Sequence, residues 1–502
     1  MEIEKKKIDL LQLITYIYLF TPVFLFVTMW LKFYIGIPLG IAILVGIYFS
    51  LKNETPLWYP ERNKHTFVFL GLVLAITVIW TFTSGVGSSV VQYPDHLYRN
   101  ALFRILIDHE WPVKLTVNGN TKGMAYYIGF WLPAALVAKV SSYQFGFLFL
   151  QIWMIIGLFL ILYYICEKHQ KLRLWYILVF IVFGGADWIG YQLIGKAFDQ
   201  LGNRIEWWAY VYNYPGVMTS TFWVYNQVIY GWLIFSMIMR QKDNRNILFL
   251  WSAGVLNCTF PAAGMIPFAI YRALRNTDEK EFFTKFGKAV TSCLSWQFLV
   301  GFLISLISTV YVLSNTNVGA NLAIDNASKV MSILPTLTAE GATVVSFNAY
   351  PWTTRVYIYL WFVLLEFGLY FIVIYKSQNK KPIYWLTLIV LLACPLIEVG
   401  GWIDFCMRAS IPGLFVLFHM VIDAFEDYVD NKKYVYVAIL VLFSFFSSMT
   451  CHDTLMGVMG PMAQKFYNNE KVSADAFSES YVFNADNFFS SMQSPFFKYF
   501  AK

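Results

Sequence analysis

From Leu11 to Thr450, apolar runs of about 15 to 25 residues alternate with short polar segments. A helix needs about 20 apolar residues to cross the hydrocarbon core of a bilayer. The runs 11–31, 33–51, 65–82, 146–166, 174–194, 222–240, 289–313, 356–376, 382–400 and 434–450 meet that length. Four shorter ones, 125–139, 247–259, 261–274 and 411–424, are candidates of reduced length. If all crossed from a cytoplasmic N-terminus, the C-terminus would return inside, yet Lys432 and Lys433 ahead of the last run place it outside. The loop 83–124 and the basic stretch 167–173 also require an odd number of crossings between them. Both conflicts resolve if 125–139, interrupted by Pro133, is half-length or re-entrant. The pattern therefore predicts an all-α integral membrane protein with about 13 transmembrane helices. One polytopic domain over 1–450 would be followed by a short extracytoplasmic tail, 451–502.

The polar punctuation supplies the orientation. Lys5 to Lys7, Lys52/Arg62/Lys64, Lys168/Lys171/Arg173, Arg240/Lys242/Arg245, Arg272 to Lys288, Lys376/Lys380/Lys381 and Lys432/Lys433 recur on one side, read as cytoplasmic. The other side receives the long segments 83–124, 195–221, 314–355 and 451–502, so chemistry is expected on the outer face. The basic start, Met1 to Lys7, runs into an apolar stretch with no A-x-A cleavage site and reads as a retained signal anchor.

Composition reinforces this picture. Of 502 residues, 58% are hydrophobic and 13% charged, about half the charged share of a soluble domain, which argues against a soluble enzyme. The net charge of +7 sits in the clusters that set topology and does not argue for nucleic acid. The six cysteines show no CxxC spacing, and only Cys406 and Cys451 fall on the expected outer side.

The most informative stretch is QYPDHLYRNALFRILIDHEWPV, Gln92 to Val113. Pro94 and Asp95 suit a helix start. At about 100° per residue, Tyr98, Ala101, Leu102, Ile105 and Leu106 form an apolar stripe. His96, Asn100, Arg104 and Asp108 occupy the opposite arc, with Arg99 at its edge. Such a helix would lie flat on the outer membrane surface. Asp95 and Arg99 are one turn apart. A carboxylate there can take an acceptor hydroxyl's proton while a guanidinium holds a leaving phosphate. The alternative is a surface salt bridge of little energetic weight.

A second cluster joins Asp187, at the outer end of 174–194, with Glu206, Trp207 and Trp208. Ionisable residues at membrane depth often mark function, and tryptophan faces suit sugar rings; an interfacial aromatic belt including Tyr210, Tyr212 and Tyr214 is the other reading. The third cluster, Glu398 to Pro412, carries Asp404 and Arg408 at i, i+4, either a structural ion pair or a phosphate clamp. Asn226, Gln227, Asn257 and Glu366 are polar residues within or beside spans, of the kind interhelical hydrogen bonds account for. GxxxxGK[ST], GxGxxG, HExxH and GxSxG are absent, so ATP hydrolysis, dinucleotide chemistry, zinc proteolysis and hydrolase-type nucleophilic catalysis lack their usual motifs.

With Asp95 in SSVVQYPDHLYRNALF just after an early span, and the tyrosine-rich MAYYIGFWLPAALV at Met124 to Val137 after it, the chain resembles the GT-C superfamily of polytopic membrane glycosyltransferases. The resemblance implies about a dozen spans, flat amphipathic helices in the first long outer loop, and a polyprenyl-phosphate-linked sugar donor. That superfamily often has an acidic pair in this loop. Here Asp95 is followed by His96, so no metal ligand is carried over and the cofactor stays unassigned.

The resemblance implies transfer of a sugar from a lipid-phosphate donor to a glycan or lipid acceptor at a bacterial-style plasma membrane, within cell-envelope polysaccharide biosynthesis. Asp95 would be the base, Arg99 and Arg408 phosphate ligands, Trp207 and Trp208 a sugar platform. His96, Asn100, Asp187, Glu206 and Asp404 complete the candidate substrate-binding set. A polysaccharide polymerase would use the same lipid-linked substrates. A transporter or lipid flippase, with broken helices such as 247–274 lining a midplane site, is the rival from another class.

Overall fold

A computed structural model describes residues 8–88, 90, 95–117, 120–195, 204–209, 212–315, 352–397, 399, 404–467 and 488–502. Pro94, Tyr210 and Glu398 lie outside the described residues. Apart from one small sheet the described elements are helices, and nine are long and apolar enough to cross a membrane. The chain is a multi-pass, all-α membrane protein; the nine do not by themselves establish the thirteen spans expected.

The differences have local causes. The run 222–240 divides at Val224 into helices Val217–Trp223 and Tyr225–Arg240. The run 289–313 yields a crossing helix only from Trp296, where Ser295 caps the start by accepting from the Phe298 amide. The run 411–424, expected to be short, joins with Asp404–Ala409 to give an apolar segment, Asp404–Asp430, of spanning length. The run 125–139 becomes the short helical stretch Gly129–Val140, as its proline suggests.

The chain forms two compact units. The first comprises 1–174, 225–316 and 469–502. Helix Leu10–Trp30 starts where Asp9 accepts from the amides of Leu11 and Gln12. Its core is aromatic: Phe26 and Trp30 meet Tyr311 and Phe496, and Tyr18 stacks on Trp153. At the end of this helix lies a three-stranded antiparallel sheet of Lys114–Val117, Asn120–Met124 and Phe489–Ser491, with Gly123 opposite Ser490. A Cβ at Gly123 would lie 2.2 Å from the Phe497 ring, so only glycine allows the C-terminal segment to seat there. The Lys32 amide donates to Phe500 and the Lys502 amide to Trp30. Residues 488–502 are thus a packed part of the first unit, at the same end as the first long loop.

The second unit comprises 175–224 and 317–468. Its first helix, Leu174–Val182, is separated from Asp187–Leu193 by Phe183 to Ala186. Helix Tyr434–Tyr467 runs through position 450.

Candidate functional site

In the first unit, helix Asp95–Asp108 forms where the periodicity placed it. Asp95 opens its first turn, where a carboxylate complements the helix dipole. Its Oδ2 lies 3.2 Å from Nη2 of Arg99, and the two side chains differ in environment: 47% exposed for Asp95, 8% for Arg99. The Arg99 guanidinium lies 5.4 Å from the centre of the Tyr225 ring, while its Nη1 is buried without a hydrogen-bond partner among the described residues. Tyr225 is fixed by the Trp131 indole N–H, which donates to its hydroxyl.

The helix is buried on more of its circumference than its periodicity implies. His96 and Asn100, assigned to the polar arc, are buried; the His96 ring lies 5.4 Å from that of Tyr225, and Asn100 Nδ2 donates to Ser88. The reason is tertiary packing: Tyr225 and Ser88 meet these two side chains and helix Leu132–Val140 packs against the same helix, while Arg104 and Asp108, partly open, pair at 3.5 Å. The site is therefore a half-open carboxylate backed by a buried cation. A buried guanidinium lacking one donor contact is costly unless another acceptor meets it.

In the second unit the GGA break builds a different centre. A Cβ at Gly185 would lie 2.0 Å from Oε2 of Glu366, so the glycine lets Glu366 approach the backbone beside Asp187. Asp187 is fully buried and its Oδ2 accepts from the Thr450 hydroxyl at 2.8 Å. Glu366, on the π-turn Leu364–Gly368, accepts from the Trp208 indole N–H at 2.9 Å. Glu206 is buried and its Oε1 accepts from the Gly216 amide at 2.7 Å. Burial pushes the Glu206 carboxyl well above the usual carboxylate range, and the charge of Asp187 adds to this.

The two tryptophans named as a sugar platform sit in different environments. Trp208 is buried, with Gly190 so close that a Cβ there would meet its ring at 2.3 Å. Trp207 remains half-buried, its ring 5.9 Å from that of Trp223, over which Arg204 lies. Asp404 and Arg408 pair at 2.8 Å on one short helix, with Arg408 nearly buried and Asp404 33% exposed. Cys406 and Cys451 are buried free thiols. Among the described residues no three His, Cys, Asp or Glu side chains converge to hold a metal ion.

Sequence reading placed Asp187 and Glu206 together but treated Glu366 as one of several interhelical polar residues. It also missed a knot in the first unit. Glu54 accepts from Tyr16 and Gln241 at 2.6 Å each and from Arg240 at 2.9 Å, while Arg240 also reaches Glu167 at 3.2 Å. A buried acid just after a span, facing a basic residue read only as a topology signal, was the available cue.

The chain matches no family model, no curated protein and no solved structure. The residues and their geometry are what a functional reading rests on.

Proposed function

We propose that the chain is a membrane glycosyltransferase that moves a sugar from a polyprenyl-phosphate donor to a glycan or lipid acceptor. It would act at the extracytoplasmic face of the plasma membrane, with the N-terminus cytoplasmic, the C-terminus outside and about thirteen spans. The observation that supports this reading is the Asp95–Arg99 pair: an open carboxylate at a helix start, tied to a buried guanidinium with Nη1 still to be satisfied. A phosphate oxygen at Nη1 would remove that deficit in a charge-assisted hydrogen bond. The Asp95 carboxylate, half exposed, is placed to accept a proton from an incoming hydroxyl. Arg408 in the second unit is proposed, separately, as a phosphate ligand. Its guanidinium is nearly buried and Asp404 neutralises it from a partly open position.

The test is incubation of the purified protein with labelled polyprenyl-phosphate sugars and candidate acceptors. Transfer is expected for the wild type and lost in Asp95→Asn at unchanged yield of folded protein. Near-normal turnover of Asp95→Asn would remove it as the base. Long repeat-unit products would favour the polymerase, and substrate translocation without transfer the transporter.

A further inference from the structure

At the opposite end of the first unit from the sheet lies a cavity of about 530 Å³. Trp58, Asn63, His65, Phe69, Lys171 and Arg173 are among its lining residues. Two features of the chain open it. Helix Lys64–Thr83 begins at Asn63, whose side chain accepts from the Thr66 amide. Helix Tyr143–His169 ends at Gln170 in the left-handed region, φ 53°, which turns the chain and sends Lys171 to Arg173 along the cavity wall.

We propose that this cavity binds a phosphate group, with Lys171 and Arg173 as its cationic ligands. The lining carries those two cations and His65 against the single acid Glu61. The two chain segments that meet here, 58–69 and 167–173, carry Arg62, Lys64, Lys168, Lys171 and Arg173 against Glu61 and Glu167, a net positive balance. Arginine and lysine complement a phosphate in different ways, the fork giving paired contacts and the ammonium a point charge. Trp58 and Phe69 supply apolar wall beside the cations, and both adjoining helices are long and apolar enough to span a bilayer. A basic pocket at the polar ends of two spans is where a lipid head group can seat its phosphate while the acyl chains run down the helices. Glu61 leaves room for a hydroxyl-bearing head group, whose O–H would donate to the carboxylate. A soluble phosphate compound shares the chemistry without the acyl chains.

The experiment is native mass spectrometry of the detergent-purified full chain with phosphatidylglycerol or phosphatidylcholine. Preferential retention of phosphatidylglycerol is expected, falling roughly tenfold in the double variant Lys171→Ala with Arg173→Ala. The charge-preserving exchange Lys171→Arg with Arg173→Lys should keep the preference, and Lys376→Ala with Lys380→Ala, in the other unit, should leave it unchanged. Competition by millimolar glycerol phosphate identifies a soluble ligand, and its failure identifies the lipid. Equal retention of the two lipids by the wild type overturns the proposal, as does full retention of phosphatidylglycerol by the alanine double variant.

Discussion

The indole N–H of Trp208 donates to Oε1 of Glu366 across 158 residues of sequence, and both side chains are buried. This bond makes Trp208 a structural partner of an acid. Replacing Trp208 with Phe removes the donor and leaves a buried carboxyl oxygen unmet, at a cost of about 1–3 kcal/mol beyond the lost packing. Trp208→Phe should therefore lower the melting temperature in detergent by several degrees. Trp207→Phe, which keeps an aromatic ring against Trp223, should shift it less. Equal shifts for the two variants would show that the hydrogen bond carries no such weight.

Glu206 predicts a pH dependence with a defined sign. Its carboxyl is raised above its ordinary value of about 4.5, first by burial and then by Asp187. The folded state thus holds this proton more tightly than the unfolded chain. The stability it contributes is complete below about pH 4.5 and is lost progressively as the pH rises through the raised value. Glu206→Gln keeps an oxygen for the Gly216 amide and removes the titration. Melting temperatures between pH 5 and 8 should fall more steeply for the wild type than for this variant. Parallel curves would assign the pH dependence to other groups.

How much of this was legible follows from what each signal measures. Hydropathy located the helices because lipid and packed helix both exclude polar side chains, and it found Leu10–Trp30, Phe33–Asn53 and Lys64–Thr83 within a few residues. It misjudged 222–240 and 411–424, where the ends depend on tertiary neighbours and not on run length. Periodicity gave the i, i+4 pairs Asp95–Arg99 and Asp404–Arg408 because they are local. The burial of His96 and Asn100 was not legible, since Tyr225 and Ser88, which meet them, lie outside the helix and its own periodicity says nothing of them. Glu366 and Glu54 acquire their meaning from partners far away in sequence.

The sheet leads to a topological prediction. Strand Phe489–Ser491 pairs with Asn120–Met124, so the first long loop and the C-terminal segment must face the same compartment. Single cysteines at Thr121 and Lys498, both exposed, should react together with an impermeant reagent in intact cells. A cysteine at Lys280, in an expected cytoplasmic segment, should label only after permeabilisation. Labelling of Thr121 and Lys498 from opposite sides would contradict the sheet.

The last prediction concerns the Glu54–Arg240 pair, whose side chains are 0% and 9% exposed. Arg240 also donates to the Thr55 and Pro56 carbonyls, and Glu54 takes further hydrogen bonds from Tyr16 and Gln241. Removing the arginine alone leaves the acid buried with its neutral donors, and an uncompensated buried charge costs about 3–5 kcal/mol. Arg240→Met should therefore abolish or sharply reduce recovery of monodisperse protein. Pairing it with Glu54→Gln removes the fully buried orphaned charge while keeping an acceptor for Tyr16, so the double variant should recover part of the loss, Glu167 still lacking its cation. Measured by size-exclusion profile and melting temperature, strict additivity of the two changes would mean that the charges do not interact. A double variant more stable than Arg240→Met alone is the expected result.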